Sequence, residues 1–109
     1  MKSILLVNLR NKARIHTNVA SDFFSKFLGL MFRKDIPKDH GLILSERNES
    51  IINSSIHMLF MRFDITAVWL DKNYIVVDKH LAKKWRLAYT SKAPAMHVLE
   101  LHPSQFDNF

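Results

Sequence analysis

Apolar side chains occupy both parities through much of the stretch from Ile56 to Asp71. A strand with one face in water alternates apolar and polar residues, whereas one covered on both faces does not. The stretch therefore predicts the middle of a β-rich core, with strands over 54–60 and 65–70. Arg62 and Asp64 interrupt it, and charges placed there need partners. Upstream, residues 3–9 read as a strand, Asn11-Lys12 as a turn and residues 13–19 as an alternating strand, so the first twenty residues resemble a hairpin. Ser21 and Asp22 can cap a helix. Phe23, Phe24, Phe27, Leu28 and Met31 then follow at helical spacing, and Gly29 with Arg33-Lys34 suits a helix end, which predicts a helix over 22–31. Leu42-Ile43-Leu44 reads as a short strand and residues 45–55 as a polar surface loop. Asp71-Lys72-Asn73 reads as a turn. Residues 74–78 read as its return strand, residues 79–93 as a long segment of mixed character, and residues 95–101 as an alternating strand. About seven short strands and one helix predict a mainly β fold (α+β by count), a small sandwich or barrel.

The chain has 109 residues, enough for one domain with its own core, taken as residues 1–109. It has no cysteine, which excludes disulfides, thiolate metal sites and cysteine nucleophiles. It has only two glycines, which excludes Gly-rich phosphate loops. No stretch approaches the ~20 apolar residues of a membrane span. The apolar run after Lys2 is shorter than the core of a signal peptide, so a cytoplasmic location is expected. Sixteen basic against ten acidic side chains give a net charge of +6. Such a balance suits an anionic partner, or nothing beyond solubility.

Several pieces together resemble the domain of unknown function 192 family, also called uncharacterised protein family 0127. Gly29-Leu30-Met31-Phe32-Arg33 is similar to its Gly-Leu-Met-x-Arg, and Gly41-Leu42-Ile43-Leu44 to its next strand. Ile56-His57 through Phe60-Met61-Arg62-Phe63, then Val68-Trp69-Leu70-Asp71, resemble its central motif. Tyr89, Ala95 and Val98-Leu99-Glu100-Leu101 match its closing pattern. The chain departs from the family where Thr66 replaces an acidic residue. It departs again where His102-Pro103-Ser104 follows the closing Leu-Glu-Leu, and a later Gly-Asp segment is absent. The resemblance implies a jelly-roll-like β fold with one packed helix, and no reaction.

Arg33, Arg62, Asp64 and Glu100 are charges within or beside apolar segments. Arginine–carboxylate pairing would satisfy them structurally. Alternatively, they converge on a pocket for a polar ligand, with Arg33, His57, Met61, Arg62 and Glu100 as the candidate binding residues. His57 and Met61 could also hold a soft metal such as copper(I), although methionine more often fills core gaps. Lys79, Lys83, Lys84, Trp85 and Arg86 form a basic cluster around one aromatic ring, a pattern that suits a nucleic-acid backbone and a stacked base. Histidine spacing matches no metalloprotease motif, and no nucleophile elbow occurs. The expectation is a non-catalytic module that binds a small polar ligand or a protein, without a cofactor. Nucleic-acid binding through residues 79–86 stands as the alternative and metal binding through His57 and Met61 as the second.

Overall fold

A computed structural model describes residues 2–22, 29–31 and 33–109. Six strands make up its regular structure: β1 (Lys2–Val7), β2 (Arg14–Ala20), β3 (His40–Ser50), β4 (Ile65–Leu70), β5 (Val76–Ala82) and β6 (Ala95–Leu101). A single turn of 3-10 helix, Pro103–Gln105, follows β6. The fold is mainly β, as the alternation predicts. All six strands belong to one sheet in the order β1-β2-β3-β6-β4-β5, antiparallel throughout except between β2 and β3. No helix among the described residues is long and apolar enough to cross a membrane.

The alternation of the central strands gives the sheet two apolar faces. Leu42 and Leu44 of β3, Ala67 and Trp69 of β4 and Val98 of β6 point to one cluster, which Leu30, Ile36, Ile56, Met58 and Met61 cover. Ile43, Val68, Leu70, Leu99 and Leu101 point to the other, covered by Ile4, Leu6, Val19 and Phe109. All six residues of β4 are therefore buried, which is why its sequence lacks alternation. Gly41 sits at a crowded point of β3. A side chain there would meet Leu101 Cδ2 at 2.5 Å and the Glu100 carbonyl oxygen at 3.0 Å, so the glycine allows β3 and β6 to close up.

The hairpin of β1 and β2 forms as expected. Asn8 and Asn11 shape its turn by accepting the amides of Arg10 and Ala13 on their side-chain oxygens, at 3.0 and 2.9 Å. Asp71 shapes the β4–β5 turn, its carboxylate accepting the amides of Asn73 and Ile75 at 2.8 and 3.0 Å. Tyr74, at φ 63°, stays in that turn, so β5 begins at Val76 rather than at 74 and continues to Ala82. β5 is an edge strand with Val76, His80 and Leu81 exposed, and its Lys79 and His80 hide it in a sequence read for apolar content.

Two further expectations are corrected. Residues 54–60 are no strand: Ile56 forms an isolated bridge with Tyr89, and Phe60 adopts φ 61°, a left-handed conformation that ends extended structure. Residues 45–50 are not loop but the end of β3, paired with β6 at Ser45↔His97 and, beyond an irregularity, at Ser50↔Ala95. Main-chain pairing holds this part, so its polar side chains give no sign of it. The expected helix over 22–31 falls largely on residues 23–28, outside the described residues; Gly29, Leu30 and Met31 form a turn.

Candidate functional site

Glu100 lies on β6, in the interior of the sheet, between Leu42 of β3 and Ala67 of β4. Strand parity aims it at the same face as Val98, towards the larger apolar cluster. It is 5% exposed. Among the described residues no hydrogen bond or ion pair reaches its carboxyl group. Burial pushes that group's pKa up to about 7, because the low-dielectric surroundings penalise the charged form.

Above Glu100 the covering segment is irregular but firmly attached. Ile56 and Tyr89 exchange both amide–carbonyl bonds, at 3.0 and 2.8 Å. The Met58 amide donates to the Arg86 carbonyl at 2.9 Å, and the Trp85 amide to the Met58 carbonyl at 2.7 Å. From the sheet, the buried Trp69 donates its Nε1–H to the Ser54 carbonyl at 2.8 Å. These bonds hold residues 54–61 off the sheet over β6 and β3, leaving a cleft of about 480 Å³. Its floor is Leu44, Val98 and Glu100, with Glu46 on the same face of β3. Its walls are Gly29–Met31 on one side and residues 53–57 with Met61 on the other. A volume of that order is typical of a small-molecule site.

Of the residues the sequence singles out, His57, Met61 and Glu100 line this cleft together. Arg33 and Arg62 are exposed and are not among its lining residues. Neither arginine pairs with Glu100. Asp64 instead receives the Lys84 amide at 2.9 Å and lies 3.6 Å from Lys83 Nζ, so it anchors the loop after β5. The alternation of residues 95–101 already sets Glu100 beside Val98, and that parity is the signal that it faces inward. Glu46, Asn53, Ser54 and Ser55 escape the sequence reading because they fall in the stretch read as loop. For Glu46 alone the alternation Leu42, Leu44, Glu46 would have revealed it. Met58, beside His57 in sequence, is fully buried core. Among the described residues no three histidine or acidic side chains come together as a metal would require.

The basic cluster divides. Lys79 turns to the C-terminal segment, where Nζ donates to the carbonyls of Phe106 and Phe109 and sits 4.4 Å from the Phe106 ring. Lys83, Lys84, Trp85 and Arg86 stay exposed on the loop after β5. Trp85, at φ 69°, meets the Phe60 ring edge-on at 5.3 Å, and both rings are about half exposed.

Comparison with known proteins places this geometry in a wider group. The chain is 44% identical over 82 residues to a UPF0127 protein of Thermococcus kodakarensis, an alignment that takes in 75% of this chain and 50% of that protein. It is 41% identical over 97 residues to a UPF0127 protein of Pyrococcus furiosus, covering 89% and 80% respectively. The match thus spans about half the length of the Thermococcus protein. A crystal structure from Sinorhizobium meliloti, of a protein provisionally described as a transcription regulator, superposes with a TM-score of 0.84 at 17% identity, over 95% of this chain and 81% of that one. A protein of unknown function from Novosphingobium aromaticivorans superposes with a TM-score of 0.78 at 14% identity, over 92% and 71%. At such identities these two structures speak for the fold alone. The family model for DUF192, described as Uncharacterized ACR, matches residues 6–109, and the chain belongs to that family.

Proposed function

We propose that residues 1–109 act as one cytoplasmic, non-catalytic domain that binds a small polar ligand in the cleft between the β3–β6 face and residues 53–61. One observation carries the reading: a glutamate is almost fully buried at the cleft floor, without a partner among the described residues. An unpartnered buried carboxyl is costly, and proteins keep such groups where a ligand completes them. The hydroxyls nearby favour binding over catalysis. Ser54 and Ser55 donate to the carbonyls of Ser50 and Ile52, so neither is held by a base as a nucleophile would be. A fragment panel of sugars, amides, amines and carboxylic acids, followed through backbone amide resonances, tests this. Binders are expected to shift residues 53–57, Met61, Val98 and Glu100. Asn53→Trp, at the exposed rim, is expected to abolish those shifts while the protein stays folded. Fragments that shift only residues outside the cleft would overturn the reading.

The Phe60–Trp85 pair favours a second reading, that of a single-stranded nucleic-acid face. Two aromatic residues hold left-handed backbone conformations, at a cost of about 1–3 kcal/mol each, and are left half exposed beside Lys83, Lys84 and Arg86. Stacking on such rings is worth about 1–3 kcal/mol per base. If a strand binds there, affinity is expected to fall with salt at a log–log slope of about −0.7 per phosphate, and alanine at all three basic positions to flatten it by two or three phosphates' worth. Fluorescence anisotropy of labelled oligonucleotides at two salt concentrations checks this. Lack of binding at low salt would remove the reading and leave the cleft untouched.

A further inference from the structure

The described lining of the cleft carries acidic side chains in a chain that is basic. Lysine and arginine outnumber aspartate and glutamate sixteen to ten, yet the described lining contains two carboxyl groups, Glu46 and Glu100, and no lysine or arginine. Among the described residues, the basic side chains near the cleft are directed elsewhere. Arg33, Arg47 and Arg62 are exposed outside the lining, and Lys83 approaches Asp64. The acidic character does not rest on number alone, for Glu100 is 5% exposed, opens into the cleft, and has no protein partner among the described residues. The rest of the lining suits a hydrocarbon body: Leu44 and Val98 on the floor, with the polarisable thioethers of Met31 and Met61 on the walls. At about 480 Å³ the cleft is much larger than a bare metal ion needs.

We infer that the ligand is a small organic cation, an ammonium group carried on an apolar body of several carbons, with the ammonium seated on Glu100. This rests on the proposal that the cleft is the binding site. The chemistry is complementary at both ends. A cation at hydrogen-bond distance supplies what the ionised carboxylate lacks, and the carbon chain buries apolar surface against Leu44 and Val98. Proton linkage follows. Burial holds the Glu100 carboxyl partly protonated near neutral pH, so seating a cation expels that proton, and affinity rises with pH. Among the described residues, Glu46 from β3 and His57 from the covering segment are the other titratable groups facing the cleft; the β4 neighbour of Glu100 is Ala67. A neutral ligand accepting a hydrogen bond from protonated Glu100 would reverse the sign, binding more tightly in acid.

Three probes of equal carbon number separate these cases: butylammonium, butan-1-ol and butyrate, titrated at millimolar concentration into the full chain at pH 5.5 and pH 8. Amide resonances give the place of binding and the affinity. Butylammonium is expected to shift the cleft residues, to bind about tenfold more tightly at pH 8 than at pH 5.5, and to bind more tightly than either other probe. Glu100→Gln, nearly isosteric, is expected to lose about tenfold in butylammonium affinity and most of the pH dependence. If that variant fails to fold, proton release by the wild type, read calorimetrically in two buffers of different ionisation enthalpy, gives the same decision. Tighter binding of butan-1-ol or butyrate in the cleft, or proton uptake with butylammonium, would overturn the cation and keep the cleft. Shifts by none of the three would overturn both.

Discussion

Trp69→Ala is expected to lower stability by about 3–5 kcal/mol, the loss typical of emptying a large, fully buried aromatic site. Trp69 is completely inaccessible, lies on β4 near the middle of the sheet, and packs edge-on against His80 with ring centroids 5.5 Å apart. Its indole N–H is also what ties the covering segment to the sheet through the Ser54 carbonyl. Trp69→Phe separates the two contributions. It retains much of the apolar contact and leaves one buried carbonyl without its donor, a cost of about 1–3 kcal/mol. Denaturant unfolding followed by far-ultraviolet circular dichroism measures both losses. Because Ser54 lines the cleft, Trp69→Phe is also expected to shift the resonances of residues 53–57. A Phe variant as stable as the wild type, with those resonances unmoved, would show that the indole bond does not hold the segment in place.

The second large effect is a decline of stability with rising pH. Glu100 has a folded-state pKa of about 7 against an ordinary value of 4.5, raised by burial. Below pH 4.5 the carboxyl is protonated in both folded and unfolded chains, and its contribution is fully present. Between 4.5 and 7 the unfolded chain gives up the proton while the folded chain keeps it, so stability falls as pH rises. Above 7 both are ionised and the loss is complete, at about 3 kcal/mol. His97 acts in the opposite sense: its burial lowers its pKa, so its own contribution is lost as the pH falls through the usual histidine range. Comparison with Glu100→Gln removes the histidine term. The Gln variant is expected to match the wild type near pH 4 and to exceed it by about 3 kcal/mol at pH 8, measured by urea unfolding. An unchanging difference between the two proteins would mean that Glu100 ionises without penalty.

The parts of the fold that the sequence reveals are those where side-chain burial and strand pairing coincide. β4 and β6 are flanked on both sides by other strands, and their residues 65–70 and 95–101 show it in apolar content and parity. The β1–β2 hairpin and the Asp71 turn are legible through local chemistry, since asparagine and aspartate side chains make bonds that do not depend on the rest of the chain. Residues 54–60 mislead because apolar content reports burial and not extension. Ile56, Met58 and Met61 are buried by lying across the sheet, and the left-handed Phe60 breaks the strand they suggest. The end of β3 misleads in the reverse way, since Ser45 and Ser50 pair with β6 through the main chain while the side chains from 45 to 50 remain polar. Half of the cleft is readable from parity, Glu100 beside Val98 and Glu46 beyond Leu44. The other half depends on which segments cover that face, a long-range outcome with no local signature.

The parallel pairing of β2 with β3 obliges the chain to leave the sheet at Ala20 and return at His40, where antiparallel neighbours could have been joined by two or three residues. Gly29, Leu30 and Met31, one wall of the cleft, lie on that return path. The strand registers fix its two ends, so its middle can vary in length and composition without shifting a single rung of the ladder. Leu30 is committed to the core beneath this wall, so such variation falls on either side of Gly29–Met31.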